Sequence, residues 1–287
     1  MRWFEIALVS LTLITGLVWL VDKLWLRSRR EAGAGLIETK EPVLVDYSRA
    51  FFPVLLVVLL LRSFVAEPFR IPTGSMMPTL LVGDFILVNK FSYGLRLPIN
   101  NRKVVALGEP QRGDVAVFRF PGYPCEVGGQ LLRSGDRACA NVQHEVPVQD
   151  WIKRVIGLPG DTVAYYDEVL SINGQPLQYR FDGIYQGTGS GADMTGARLV
   201  TEFLADRPHQ ILERDDHPMF PTPGEGEWVV PEGHYLVMGD NRDNSEDGRF
   251  WGVLPEENLR GKAIVVWMNF DRRGGGIDFS RIGTGIR

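Results

Sequence analysis

Histidine, cysteine and blocks of like charge are all scarce in this chain, and each shortage narrows what it can do. Four histidines stand among 287 residues (His144, His209, His217 and His234), none in a stretch patterned for catalysis. A Ser-His-Asp triad has little material to draw on. His209 and His217 lack the spacing of a metal site, so no metal and no cofactor is expected. Cysteine occurs only at Cys125 and Cys139, and no basic block appears beyond a short arginine cluster in a chain of net charge −4. Nucleic acid is therefore not an expected partner. With 23% charged and 45% hydrophobic residues the bulk composition is that of a soluble protein, but that average hides a concentration of apolar residues near the N-terminus.

From Ile6 to Val21 the chain is apolar except for Ser10, Thr12, Thr15 and Gly16, with Trp3 and Phe4 extending the run. That is about the ~20 residues a helix needs to span a bilayer. A cleavable signal peptide fits poorly, because only Arg2 precedes the run while Lys23, Arg27, Arg29 and Arg30 follow it. A second run, Ala50 to Leu61, is interrupted by Arg62 and resumes through Phe64, Val65 and Ala66. Pro53 is assigned to its first turn, where proline is tolerated, and Arg62 can snorkel toward head groups. A buried soluble helix is the alternative for this run. Lysines and arginines between the two runs mark a cytoplasmic segment. The expected organisation is transmembrane helices over residues 3–21 and 50–66, a cytoplasmic loop over 22–49, and an extracytoplasmic domain over 67–287.

That domain opens on Ile71-Pro72-Thr73-Gly74-Ser75-Met76-Met77-Pro78-Thr79-Leu80. Its two prolines exclude a regular helix or central strand, and Gly74 permits a sharp turn just before a small hydroxyl. Short strands are expected over 85–88 and 115–120. In Trp151-Ile152-Lys153-Arg154-Val155-Ile156 the alternation of a strand sets Lys153 beside Trp151 and Val155. Desolvation there would lower the lysine pKa, and a neutral lysine can act as a general base. Between Thr162 and Pro231 the pattern weakens to a hairpin with an Asn173-Gly174 turn and a Gly/Ser/Thr-rich stretch, 183–196, expected to be a mobile loop. This region, 162–231, reads as an accessory β insert. Gly239 to Gly252 is a dense polar loop that fails as an EF-hand, because its Gly and Glu positions do not match. An even cysteine pair outside the cytoplasm favours a Cys125–Cys139 disulfide, whose loop would stabilise by about 3 kcal/mol in the chain-entropy model.

The decamer around Ser75, the 115–120 strand, Trp151–Asp161 and Gly233–Gly252 together resemble, in order and spacing, the boxes of type I bacterial signal peptidases. The resemblance implies a mainly antiparallel β catalytic domain with an accessory β insert, anchored by two N-terminal transmembrane helices. It implies a membrane-bound serine endopeptidase of the inner membrane, catalytic domain on the periplasmic side, that removes signal peptides from secretory preproteins. In that scheme Lys153 takes the Ser75 proton, and the Ser75 N–H and Thr73 hydroxyl form the oxyanion hole. Ser245 orients Lys153, while Asp247 and Arg249 hold the loop. Phe69, Ile71, Pro72, Ile86, Val117 and Ile152 line small pockets suited to Ala-X-Ala sites. The family usually has a small residue and a serine where this chain has Glu246 and Gly248, and often a serine in place of Thr73. Two rivals remain on the sequence alone: a histidine triad, and an anchored module that binds extended peptides by strand addition without cutting them.

Overall fold

The computed structural model describes residues 2–34, 41–98, 101–127, 130–132, 149–214 and 224–287. Two long apolar helices come first. The helix over Phe4–Arg30 has 27 residues and that over Val43–Val65 has 23, about 40 and 35 Å at 1.5 Å per residue, enough for a hydrocarbon core of about 30 Å. They pack on each other through Trp19 and Phe52, whose rings stack at 5.5 Å. A Cβ on Gly16 would lie 2.6 Å from the Phe52 ring, so the helices approach as they do only because this position lacks a side chain.

The helices are longer than the expected boundaries. Most of the expected 22–49 loop is helical, from a continuation of the first helix through Arg27–Ala34 and an early start of the second at Val43. Arginine is a good helix former, so the charges there need not end a helix. Pro53 consequently lies in a helix interior rather than in a first turn, where it removes a backbone donor. Arg62 binds Glu67 at 2.9 Å and lies over the Phe4 ring.

No linker separates the second apolar helix from the domain. The second helix ends at Val65, and Ala66 already pairs with Asn89 in the first strand. A seven-stranded antiparallel sheet follows, ordered Ala66–Arg70, Asp84–Asn89, Leu259–Asn269, Val115–Arg119, Asp150–Gly157, His234–Met238, Leu254–Pro255. Its long strand reaches four residues further back than the apolar segment beginning at Ala263 suggests. Leu259, Gly261 and Lys262 pair with Phe118, Val117 and Ala116, a pairing masked in sequence by Arg260 and Lys262. Alternation sorts the side chains into two cores. Ile71, Met76, Leu80, Ile86, Val88, Val115 and Val117 form one, with Ile152 packed against it. Ala116, Phe118, Val155, Tyr235, Val237 and Trp251 form the other, with Trp151 beside it.

The insert builds two further antiparallel sheets, of four and three strands. Its expected hairpin is present: Ile172 pairs with Gln175, and Asn173 and Gly174 both have positive φ (53° and 77°), as a two-residue primed turn requires. The 183–196 stretch is not an unstructured loop. It contains the end of the Gln178–Ile184 strand and a 3-10 turn over Gly189–Met194. Met194 is buried with Met77 and Leu212, so an apolar contact fixes what composition alone reads as mobile. Cys125 begins a short strand, whereas Cys139 lies outside the described residues.

Candidate active site

Ser75 sits in the turn that the two prolines isolate, and its backbone is tied to a distant loop. Asn241 donates its backbone N–H to the Ser75 carbonyl (3.1 Å) and its side-chain amide to the Gly74 carbonyl (3.0 Å). Behind it stands Gly239, where a Cβ would lie 2.5 Å from the Ser75 carbonyl oxygen and 2.1 Å from Ser245 Oγ. Glycine at 239 is thus what lets these segments meet.

Lys153 reaches the same point from the centre of the sheet. Its strand partner is Ala116, a small residue that leaves room for the aliphatic stem. Only 4% of Lys153 is exposed, and its Nζ lies 2.6 Å from Ser75 Oγ. Burial pulls the amine down to about 8, with Asp247, Asp240 and Glu246 opposing and Arg249 adding to the shift. The cause is the one expected from the strand pattern, loss of hydration of the charged form.

The Asp247–Arg249 pair forms as expected. Arg249 Nε donates to Asp247 Oδ1 at 2.9 Å, and Asp247 also accepts the Gly239 N–H at 2.9 Å. Ser245 differs from expectation: its hydroxyl is buried without a hydrogen-bond partner, so it makes no bond to the Lys153 amine. Another carboxylate of this loop, Asp240, is held by an arginine from the Lys153 strand. Arg154 grips Asp240 through Nε (2.8 Å) and Nη2 (2.7 Å), with both side chains buried. It also donates to the carbonyls of Gly113 and Arg287, while Asp240 accepts from the Thr79 hydroxyl at 2.5 Å. This knot, which the sequence reading missed, ties the Ser75 turn to the polar loop. Its signal was the arginine directly after Lys153, facing the opposite side of the strand.

A cleft of about 260 Å³ opens over Ser75 and Lys153. Pro72, Thr73 and Ile152 line it as expected, but so do Trp151, Asn244 and Glu246, which were not expected to. Trp151 is braced by Phe120, stacked at 4.1 Å, and Glu246 accepts the Tyr123 hydroxyl. Ile71, Ile86 and Val117 are buried in the core beneath the cleft rather than on its wall, with Phe69 packed against them. Alternation assigned these side chains to a face, but it could not say how far below the surface that face lies.

Among the described histidines none bonds to Ser75. His209 lies 3.3 Å from Glu202 in the insert, and His234 Nδ1 is 2.9 Å from the Glu232 carbonyl. His144 and His217 lie outside the described residues. Among the described residues the histidine triad thus has no candidate, and a buried lysine against a serine is more than peptide capture requires.

The chain is similar to known proteins over most of its length. A family model described as signal peptidase, peptidase S26, matches residues 44–268. A signal peptidase I from Pseudomonas fluorescens is 43% identical over 292 residues, spanning 93% of this chain and 92% of its own length. One from Pseudomonas aeruginosa is 40% identical over 308 residues (98% of each chain), and one from Haemophilus influenzae is 34% identical over 330 residues (99% of this chain, 92% of its own).

Proposed function

Since the chain belongs to the signal peptidase (peptidase S26) family, we propose that it cuts secretory preproteins with a Ser75–Lys153 dyad at Ala-X-Ala sites. Membership makes it a serine endopeptidase that removes signal peptides. The observation that carries the dyad is the 2.6 Å approach of a buried, pKa-depressed amine to Ser75 Oγ inside the cleft.

In the proposed reaction neutral Lys153 takes the proton from Ser75 as Oγ bonds to the scissile carbonyl carbon. The Ser75 N–H and the exposed Thr73 hydroxyl stabilise the oxyanion. Lys153 then gives the proton to the departing amine as the peptide C–N bond breaks, leaving an acyl-enzyme. Water attacks that ester with Lys153 again as base, releasing the signal peptide and restoring Ser75. Asp247 and Arg249 hold the loop behind the lysine.

An extended substrate lying along the cleft sends alternate side chains the same way, so positions −1 and −3 point inward together. Pro72, Ile152 and Trp151 leave room for methyl groups there. Replacing −1 Ala by Leu in a model preprotein should lower kcat/KM by about a hundredfold or more, as expected when added methylenes meet a closed pocket. The same change at −2 should have little effect. Equal tolerance at both positions would contradict the pocket assignment.

The proposed topology places residues 67–287 on the periplasmic face of the inner membrane, with both apolar helices spanning the bilayer. The exposed Trp267, Phe270 and Phe279 are suited to contact with lipid head groups. Protease added to spheroplasts should digest the domain after Ala66 and spare the Lys/Arg-rich segment between the helices. Protection of the domain would reverse the assignment.

A further inference from the structure

A second cavity, about 490 Å³, lies apart from the cleft and shares none of its lining residues. Its walls carry Arg96, Arg102, Lys103 and Arg119 against Glu256 and Glu257. Arg96 is only 5% exposed. It donates to the carbonyls of Asn101 (3.4 Å) and Glu256 (3.1 Å) and lies 3.7 Å from the Glu256 carboxylate, but its Nε is buried without an acceptor. Lys103 also binds Glu256, at 2.5 Å, so that one carboxylate serves two cations. Burial holds the Arg96 guanidinium below its ordinary value, with Glu256 opposing. A buried donor without a partner is costly, and an oxyanion entering the cavity would supply the missing acceptor.

Position suggests where that oxyanion comes from. The strand carrying Arg96 packs against Leu61–Val65, the last turn of the second apolar helix. Pro98, two residues on, lines a small pocket with Glu5, Leu8, Leu59 and Arg62 from the ends of both helices. Leu97, Val104, Val105 and Leu107 are exposed beside these cationic residues. Cations with exposed apolar side chains around them, at the level where the apolar helices stop, match an amphiphile carrying a phosphate.

We propose that the Arg96 cavity binds the phosphate of an anionic lipid head group, at a site separate from the peptidase cleft. The source of the phosphate rests on the reading that both helices span the bilayer. Native mass spectrometry of the full-length protein, titrated with phosphatidylglycerol, phosphatidylcholine or inorganic phosphate, tests it. Wild type should hold one phosphatidylglycerol in preference to phosphatidylcholine. Arg96→Gln should weaken that binding about tenfold or more, as loss of a charge-assisted contact does. Because Arg96 also braces two carbonyls, the exposed Arg102→Glu provides a second variant that leaves them intact, and it should weaken binding similarly. Inorganic phosphate that binds as tightly as the lipid would overturn the head-group source. Indifference to lipid charge, or undiminished binding by Arg102→Glu, would overturn the site. Cleavage of a soluble peptide by Arg102→Glu should match wild type, which keeps failure here distinct from failure of the dyad.

Discussion

Lys153→Ala is expected to lower kcat/KM for a preprotein by about four orders of magnitude or more, the cost seen when one member of a nucleophile–base unit is removed. Ser75→Ala should do the same, and the double variant should be little worse than either single one, because the two groups act as a unit. The fold should survive. Lys153 is an amine whose charged form burial disfavours, so alanine removes a desolvation cost along with the stem's packing. A folded Lys153→Ala protein with near-normal turnover would end the dyad proposal. Alanine at any of the four histidines should leave substantial activity.

The second large effect concerns stability. Arg154 and Asp240 are both buried and bonded twice to each other. Arg154→Met leaves the Asp240 carboxylate uncompensated, which should cost about 3–5 kcal/mol. That corresponds to a melting temperature lower by about 10 °C for a domain of this size. Activity should fall too, because Asn241, next to Asp240, holds the carbonyls of Gly74 and Ser75. Arg154→Met with Asp240→Leu should recover much of the stability, since two apolar side chains replace a buried pair at little net cost. Thermal melting of Arg154→Met, Asp240→Leu and the double variant against wild type decides the matter: a single variant as stable as the double would show the pair to be unimportant.

The features legible in the sequence are those set by local chemistry. Pro72, Gly74 and Pro78 announce an irregular turn around Ser75, and strand alternation sets Lys153 among apolar neighbours. Asn173-Gly174 specifies its hairpin by backbone conformation alone. Depth was less legible. Ile71, Ile86 and Val117 were assigned to pocket walls and are core, because alternation gives a face and says nothing of the layers above it. Glu246 and Trp151 line the cleft through the meeting of strands and loops far apart in sequence, as do Arg154 and Asp240, 86 residues apart. The helices run past the expected spans for a different reason. Hydropathy marks where a chain can lie in lipid, whereas a helix continues as long as its residues and caps allow.

The dependence of kcat/KM on pH tests the central claim most directly. Lys153 acts as a base only when neutral, and burial brings its pKa to about 8. With a preprotein substrate, kcat/KM should therefore be level above that value. Below it, the rate should fall about tenfold for each pH unit as the amine takes up a proton. A profile that stays level down to pH 6, or that breaks near the ordinary histidine value of about 6.5, would contradict the assignment of Lys153 as the base.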